Sequence, residues 1–301
     1  MTPPATPFDA AMFDYAEMTS RNAGFLTAEE QARLRATPVF VPGVGGMGGA
    51  AVQALVRAGV ERLCVADMDR FEVSNLNRQV FADVDSVGQG KVEATVERLR
   101  RINPGVRVTT FGAEWTERLD EILAEHKVVV NGMDDLAAGI HLYRRAREHG
   151  ATVIDAYTSP LPSVVVVRPG DPRPEERLGF PTVGKPWDRL TAEDADACKL
   201  AEAEWVMTHS SSADHIDLGV AAEMLAGKRS RPSFAPMVIL TGNLMAFETV
   251  KAVLGRPSGV DHRGCFFNPW TFQAERPVRG PAAWLRRAVV RRRIRELVRG
   301  A

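Results

Sequence analysis

A glycine turn wedged between a short apolar run and a helix-forming one restricts this 301-residue chain most. Residues 39–41 are β-branched or aromatic, and they empty directly into Gly43-Val44-Gly45-Gly46-Met47-Gly48-Gly49; residues 50–58 then read as helix. A strand that passes through glycines into a helix lets backbone amides approach a phosphate, because no Cβ intervenes and the helix N-terminus carries partial positive charge. The same glycines also serve tight strand–helix packing without any ligand, so the turn speaks for a fold before it speaks for a function.

The rhythm continues downstream. Residues 63–66 form a second apolar run ending on Asp67, 91–101 read as helix, 106–111 as strand, 116–125 as helix, 128–130 as strand, 136–149 as helix, and 152–156 and 163–167 as strands. Strands alternating with helices of about ten residues imply βαβ units. The expected fold is therefore α/β: a Rossmann-like, doubly wound, mostly parallel sheet with helices on both faces. Residues 1–18 read as a loose arm, and Thr27-Ala28-Glu29-Glu30 as a capping box opening a helix. Residues 168–235 break the alternation with five prolines in RPGDPRPEERLGFPTVGKPWD and one helical piece near 191–207, the pattern of an irregular crossover segment. Residues 238–254 are an apolar helix stopped by Gly255, and the end turns basic, with Arg286, Arg287, Arg291, Arg292, Arg293, Arg295 and Arg299 against Glu296. Five pieces result: an arm and helix (1–37), a nucleotide-binding core (38–167), a crossover facing substrate (168–235), the C-terminal part of the core (236–275) and an arginine-rich helix (276–301).

Charge narrows the partners. Thirty-eight basic and 38 acidic residues cancel, which argues against nucleic acid or anionic lipid held by global charge. The first ten residues lack a signal-peptide pattern and no 18-residue apolar run follows, so a cytoplasmic protein without a membrane span is expected. Cys64, Cys198 and Cys265 are too few and too scattered for a disulfide framework or a zinc tetrad.

Asp67 lies nineteen residues after Gly48, where an acidic residue accepts from a ribose, and this much allows a nicotinamide or flavin dehydrogenase. The next loop is different. After Asp67 and Asp69 come Asn75, Arg78 and Gln79, and Gly88-Gln89-Gly90-Lys91 brings a second cation to a helix start. Hydride transfer has no need of two fixed cations beside the phosphates. Attack at the α-phosphate of ATP does, because charge builds on the phosphorus oxygens and on departing pyrophosphate. A carboxylate for Mg²⁺ belongs nearby, and Asp134 or Asp135, beyond the strand 128–130, stands where a parallel sheet presents residues to ligand.

The run GVGGMGGAAVQALVRAGVERLCVADMDRFEVSNLNRQVF, with VGQGKVEA, RINPGV and VVVNGMDD, resembles the ThiF/MoeB/HesA family, bacterial relatives of the ubiquitin-activating E1 enzymes. The likeness is close over residues 19–160 and looser over 238–255. It implies ATP-dependent adenylation of the C-terminal carboxylate of a small ubiquitin-like carrier protein or precursor peptide. Gly43, Gly45, Gly46 and Gly48 would cradle the nucleotide, Asp67 with Asp69 would face the ribose, Arg78 and Lys91 the phosphates, Asn75 and Gln79 the loop lining, and Asp134 the magnesium. Ser20-Arg21-Asn22 resembles the family's N-terminal arm, which implies a homodimer in which Arg21 acts in the partner's site.

Departures qualify the likeness. The paired Cys-x-x-Cys motifs of many members are missing, so no structural zinc is expected. Asn131 stands where many members carry Asp and Asp135 where many carry Asn, which lets the magnesium role move from Asp134 to its neighbour. Cys198 lies where some relatives place a nucleophile, but Asp194 and Asp196 disfavour its thiolate while Lys199 opposes them, so an inert thiol is the stronger reading. His209 and His215 read as parts of a polar loop. At the basic end, Trp284, Leu285, Ala288 and Val289 are expected to dock on the body while the arginines stay solvated or meet an acidic partner; without an aromatic platform, nucleic acid ranks last. The competing functions are an NAD(P)-dependent oxidoreductase, a silent nucleotide-binding scaffold and a tRNA-modifying adenylase whose one support is that basic end.

Overall fold

The computed structural model of the chain describes residues 10–225 and 227–300, without the side chains of 10, 218, 225 and 295–300. The first nine residues of the expected arm, and the side chains of Arg295, Glu296 and Arg299, lie outside the described residues. What is described of the arm is held down. Helix α1 (Tyr15–Thr19) sends the Tyr15 hydroxyl to the Gly59 carbonyl at 2.8 Å, and Arg35 stacks over the Tyr15 ring at 4.0 Å. Helix α2 (Ala28–Ala36) opens with the reciprocal Thr27–Glu30 capping box.

Alternation then builds the sheet as β1 (Val39–Pro42), α3 (Gly46–Arg57), β2 (Arg62–Ala66), α4 (Lys91–Ile102), β3 (Arg107–Phe111), α5 (Leu119–Glu125), β4 (Val128–Val130), α6 (Leu136–Glu148) and β5 (Thr152–Asp155). These five strands are parallel, with Val39 opposite both Leu63 and Val128. β6 (Ser163–Val167) runs back antiparallel. Three helices follow: α7 (Pro174–Leu178), α8 (Ala192–His209) and α9 (Leu218–Leu225). After the long α10 (Ala235–Leu254), β7 (Cys265–Asn268) and β8 (Gln273–Glu275) add two more antiparallel strands. The order is β3-β2-β1-β4-β5-β6-β7-β8 in one eight-stranded sheet. The two-residue period of a strand divides the core between its faces. Val39, Val41, Val65 and Ile154 pack on one side, while Phe40, Cys64, Val129 and Val153 pack on the other.

The crossover carries more helix than its prolines suggested. Pro174 sits in the first turn of α7, where a missing N–H costs nothing, and Gly179 closes the helix at φ 71°. α10 is long and apolar enough, by length and composition, to cross a bilayer; here it packs on α3, so close at Gly242 that a Cβ would lie 2.5 Å from the Met47 carbonyl oxygen. The last helix, α11 (Pro281–Gly300), docks through a face other than the one expected, with Ile294 buried and Val290 half-buried. Trp284, Leu285 and Val289 point outward, with Trp284 70% exposed. Arg287 and Arg291 pair with Glu204 of α8, and Arg286 donates to the Ser210 carbonyl at 3.2 Å. The buried Ile294 and the paired Glu204 together seat the helix.

Candidate active site

The glycine turn sits at the carboxyl end of β1 and bends back on the loop after β4. A Cβ on Gly48 would lie 1.9 Å from the Gly43 carbonyl oxygen, and one on Gly132 would lie 2.2 Å from the same atom. Gly43 itself has φ 81° and would drive a Cβ to 2.6 Å from the Gly132 carbonyl carbon. Only glycine fits at these three contacts. Gly45 is the N-cap of α3 and has no side chain to satisfy the first-turn amides, which leaves them for a ligand.

Asp67 braces this loop. One carboxylate oxygen accepts from the Val44 amide and the other from the Asp69 amide, both at 2.9 Å. Lys91, at the start of α4, places its ammonium 2.8 Å from Asp69. Arg78 donates to the Ser74 carbonyl at 2.7 Å and to the Asn77 side chain at 2.9 Å. Asn75 is buried and accepts from the Glu72 amide, fixing the turn that carries Arg78. Gln79 is buried beside Gly45, and its Oε1 has no partner among the described residues. An orphaned buried acceptor at the mouth of a glycine loop is a group that a ligand would satisfy.

Gly43, Gly45, Gly46, Asp67, Asp69, Asn75, Arg78, Gln79, Lys91, Asp134 and Asp135 all line one cleft of about 1070 Å³. The two aspartates differ in use. Asp135 is the N-cap of α6, accepting from the Ala138 amide at 3.0 Å, whereas Asp134 is exposed and makes no hydrogen bond among the described residues. Asn131, one of the departures, donates to Asp155 at 2.9 Å. Burial pushes the Asp155 carboxyl up, against the hydroxyl of Tyr143 and the amide of Asn131, and an aspartate at 131 would face it as a second acid.

Three expected residues are elsewhere: Gly48 is buried against the Gly43 carbonyl and does not line the cleft, and Arg21 and Cys198 also lie apart from it. Arg21 lies exposed in the 3-10 turn Ser20–Asn22 and does not line the cleft. Cys198 is fully buried beside Leu178 and Phe180, and burial followed by the charge of Asp194 pushes its thiol up to about 11. That supports the inert-thiol reading over the nucleophile: burial disfavours the thiolate and covers the sulfur.

The cleft also holds residues beyond those that the sequence proposed for a nucleotide site. Arg70 joins the cation-bearing end. Beyond it the trough runs past Thr158, Ser159, Ser212, His215, Met224, Arg231 and Trp270. His215 faces the Trp270 ring at 6.3 Å, and its Nε2 is 2.9 Å from the Asn268 amide. These residues come from segments scattered between residues 158 and 270 and carry no common spacing by which to find them.

Fold and cleft together define a Rossmann-type α/β protein with a glycine loop and cationic side chains lining one cleft. Within that class the chain belongs to the ThiF family, which it matches over residues 19–283 and whose members are E1-like adenylating enzymes. It is 44% identical over 108 residues to the sulfur carrier protein adenylyltransferase of Thermus thermophilus, covering 36% of this chain and 40% of that protein. Over 139 residues it is 32% identical to the tRNA threonylcarbamoyladenosine dehydratase of Bacillus subtilis, 46% of this chain and 55% of that one. Over 108 residues it is 39% identical to the molybdopterin-synthase adenylyltransferase of Escherichia coli, 36% and 43% of the two chains. The match thus spans 40% to 55% of these relatives. Among solved structures, E. coli MccB with ATP superposes with a TM-score of 0.59 at 17% identity, covering 84% of this chain and 67% of that one. PaaA gives 0.58 at 19% identity, covering 92% and 78%. These likenesses concern the fold.

Proposed function

We propose that the chain is an ATP-dependent adenylyltransferase that activates the C-terminal carboxylate of a small ubiquitin-like carrier protein or precursor peptide. The observation that carries this is the division of the cleft. One end joins the glycine loop to Arg70, Arg78 and Lys91, while the other is lined by hydroxyls, small residues and apolar side chains, with Arg231 its one Lys or Arg side chain among the described residues. An extended, uncharged peptide tail suits that second half, and one guanidinium suffices for a carboxylate. A folded RNA would need many phosphate contacts. Of the arginines at the C-terminus, Arg287 and Arg291 already pair with Glu204.

In the proposed reaction a carboxylate oxygen of the acceptor attacks the α-phosphorus, the bond from phosphorus to the bridging oxygen of pyrophosphate breaks, and acyl-adenylate and pyrophosphate result. Arg78 and Lys91 would stabilise the charge that grows on the phosphate oxygens, Lys91 exchanging Asp69 for phosphate. Magnesium, which neutralises phosphate charge when bound, commonly takes one or two protein carboxylates plus phosphates. Asp134 fits that role better than the helix-capping Asp135, although no cluster of three ligand side chains occurs among the described residues. Arg21 would enter only from a second copy of the chain, in a homodimer.

The test is exchange of labelled pyrophosphate into ATP in the presence of a carrier protein or peptide with a free terminal carboxylate. Exchange that Lys91→Ala and Arg78→Ala leave at the wild-type rate would overturn the mechanism. Binding of NAD(H) without ATP would return the oxidoreductase, and ATP binding without exchange for any acceptor would leave a silent scaffold.

A further inference from the structure

We infer that Trp187, on the crossover segment, is the residue that stacks on the nucleotide base. The inference rests on the nucleotide occupying the cleft as proposed above, and it assigns an aromatic nucleobase to a wall of the cleft for which the sequence offered no ligand.

The geometry fixes where a base must lie. The glycine loop and the N-terminus of α3 mark the phosphates, and Asp67 and Asp69, at the carboxyl end of β2, lie one step toward the sheet edge. The next strand outward is β3, so a base continuing in that direction meets the chain that leaves the end of β3. There the cleft is walled by Ala113, Trp115, Thr116 and, from the crossover, Trp187.

Trp187 is set in place before any ligand arrives. Its ring lies on the His141 imidazole at 4.4 Å and 18° from parallel, and His141 Nε2 is 3.2 Å from the Thr116 carbonyl oxygen. Burial holds the imidazole below its ordinary range, so the platform is neutral at pH 7. One turn along α6, Arg144 ties down the strand of chain leading to Trp187. It donates to the carbonyls of Thr182 and Lys185 at 2.8 and 2.6 Å and forks onto Glu175 at 2.9 and 2.7 Å. One face of the indole is thus covered by His141, and the side chain is part of the cleft wall. A rigid aromatic in that wall, beside a ribose site, offers base stacking without an ordering cost.

The experiment titrates the full chain, as wild type, Trp187→Ala and Trp187→Phe, with ATP and with inorganic tripolyphosphate, which has no base. Trp187→Ala should weaken ATP roughly tenfold, Trp187→Phe should restore most of the affinity, and tripolyphosphate should bind all three alike. The inference is overturned if Trp187→Ala binds ATP within about twofold of wild type, or loses tripolyphosphate by the same factor as ATP. A wild type that binds tripolyphosphate but not ATP overturns the nucleotide reading itself, a result distinct from either.

Discussion

Lys91 and Asp69 form an ion pair at 2.8 Å in which the ammonium is buried, at 9% side-chain exposure, and the carboxylate is 64% exposed. The asymmetry matters. The lysine cannot turn to water, whereas the aspartate can, so an arriving phosphate can displace the mobile partner without uncovering the fixed one. A buried cation kept satisfied until its anion arrives is preorganised for charge that develops during reaction.

Removing either phosphate-end cation should therefore cost rate more than fold. Lys91→Ala and Arg78→Ala are each expected to lower pyrophosphate exchange on the order of a hundredfold. Urea midpoints measured alongside separate lost catalysis from lost structure.

Gly48→Ala should act the other way, through structure first. Its methyl carbon would stand 1.9 Å from the Gly43 carbonyl oxygen, an overlap that only backbone movement relieves. A loss of roughly 2–3 kcal/mol is expected, with ATP binding abolished. Gly170, where a Cβ meets nothing within 4 Å, should accept alanine with neither effect.

Arg21 tests the dimer. If it serves the site of a second copy, Arg21→Ala and Lys91→Ala proteins, each inactive alone, should regain up to about a quarter of wild-type exchange per site when equal amounts are mixed and re-equilibrated. A mixture as inactive as its components would rule out action in trans.

Cys198 is expected to be dispensable and slow to label. At pH 7 a thiol reagent should modify the half-buried Cys265 first and reach Cys198 and Cys64 only on unfolding. The ordinary thiol value is 9.0, and folding raises Cys198 to about 11. Its stabilising contribution is thus full below pH 9 and is lost as pH rises through about 11, by up to about 1.4 kcal/mol per pH unit. Cys198→Ala should flatten that part of the stability profile and keep its exchange activity; rapid labelling of native Cys198 would contradict the assignment.

The parallel half of the sheet and the phosphate end were legible because their signals are local: Val39, the glycines, Asp67 and Lys91 carry strand, turn and charge within one short stretch. The rest depended on partners far away in sequence. Pro174 reads as a breaker until its place in a first helical turn is known. Trp187 has no local signature, because its platform, His141, belongs to a different helix. The arginine-rich run of α11 was legible as a helix, but the face that docks was not, since Glu204, which its arginines meet, lies on α8. Arg21 was legible as a motif, yet its own chain does not bring it to the cleft.

The ion pairs that help to seat α11 make ionic strength a control on the C-terminus. Arg287 and Arg291 clasp a single carboxylate, Glu204, whose side chain is 16% exposed, while Trp284, Leu285 and Val289 remain outside. Salt shortens the range over which such charges act, to about 3 Å at 1 M, and strengthens the drive to hide the apolar side chains. High salt thus loosens the clasp and penalises the exposed face at once. The arginine clasp is tightest in dilute buffer, while the buried Ile294 keeps its cover at high salt.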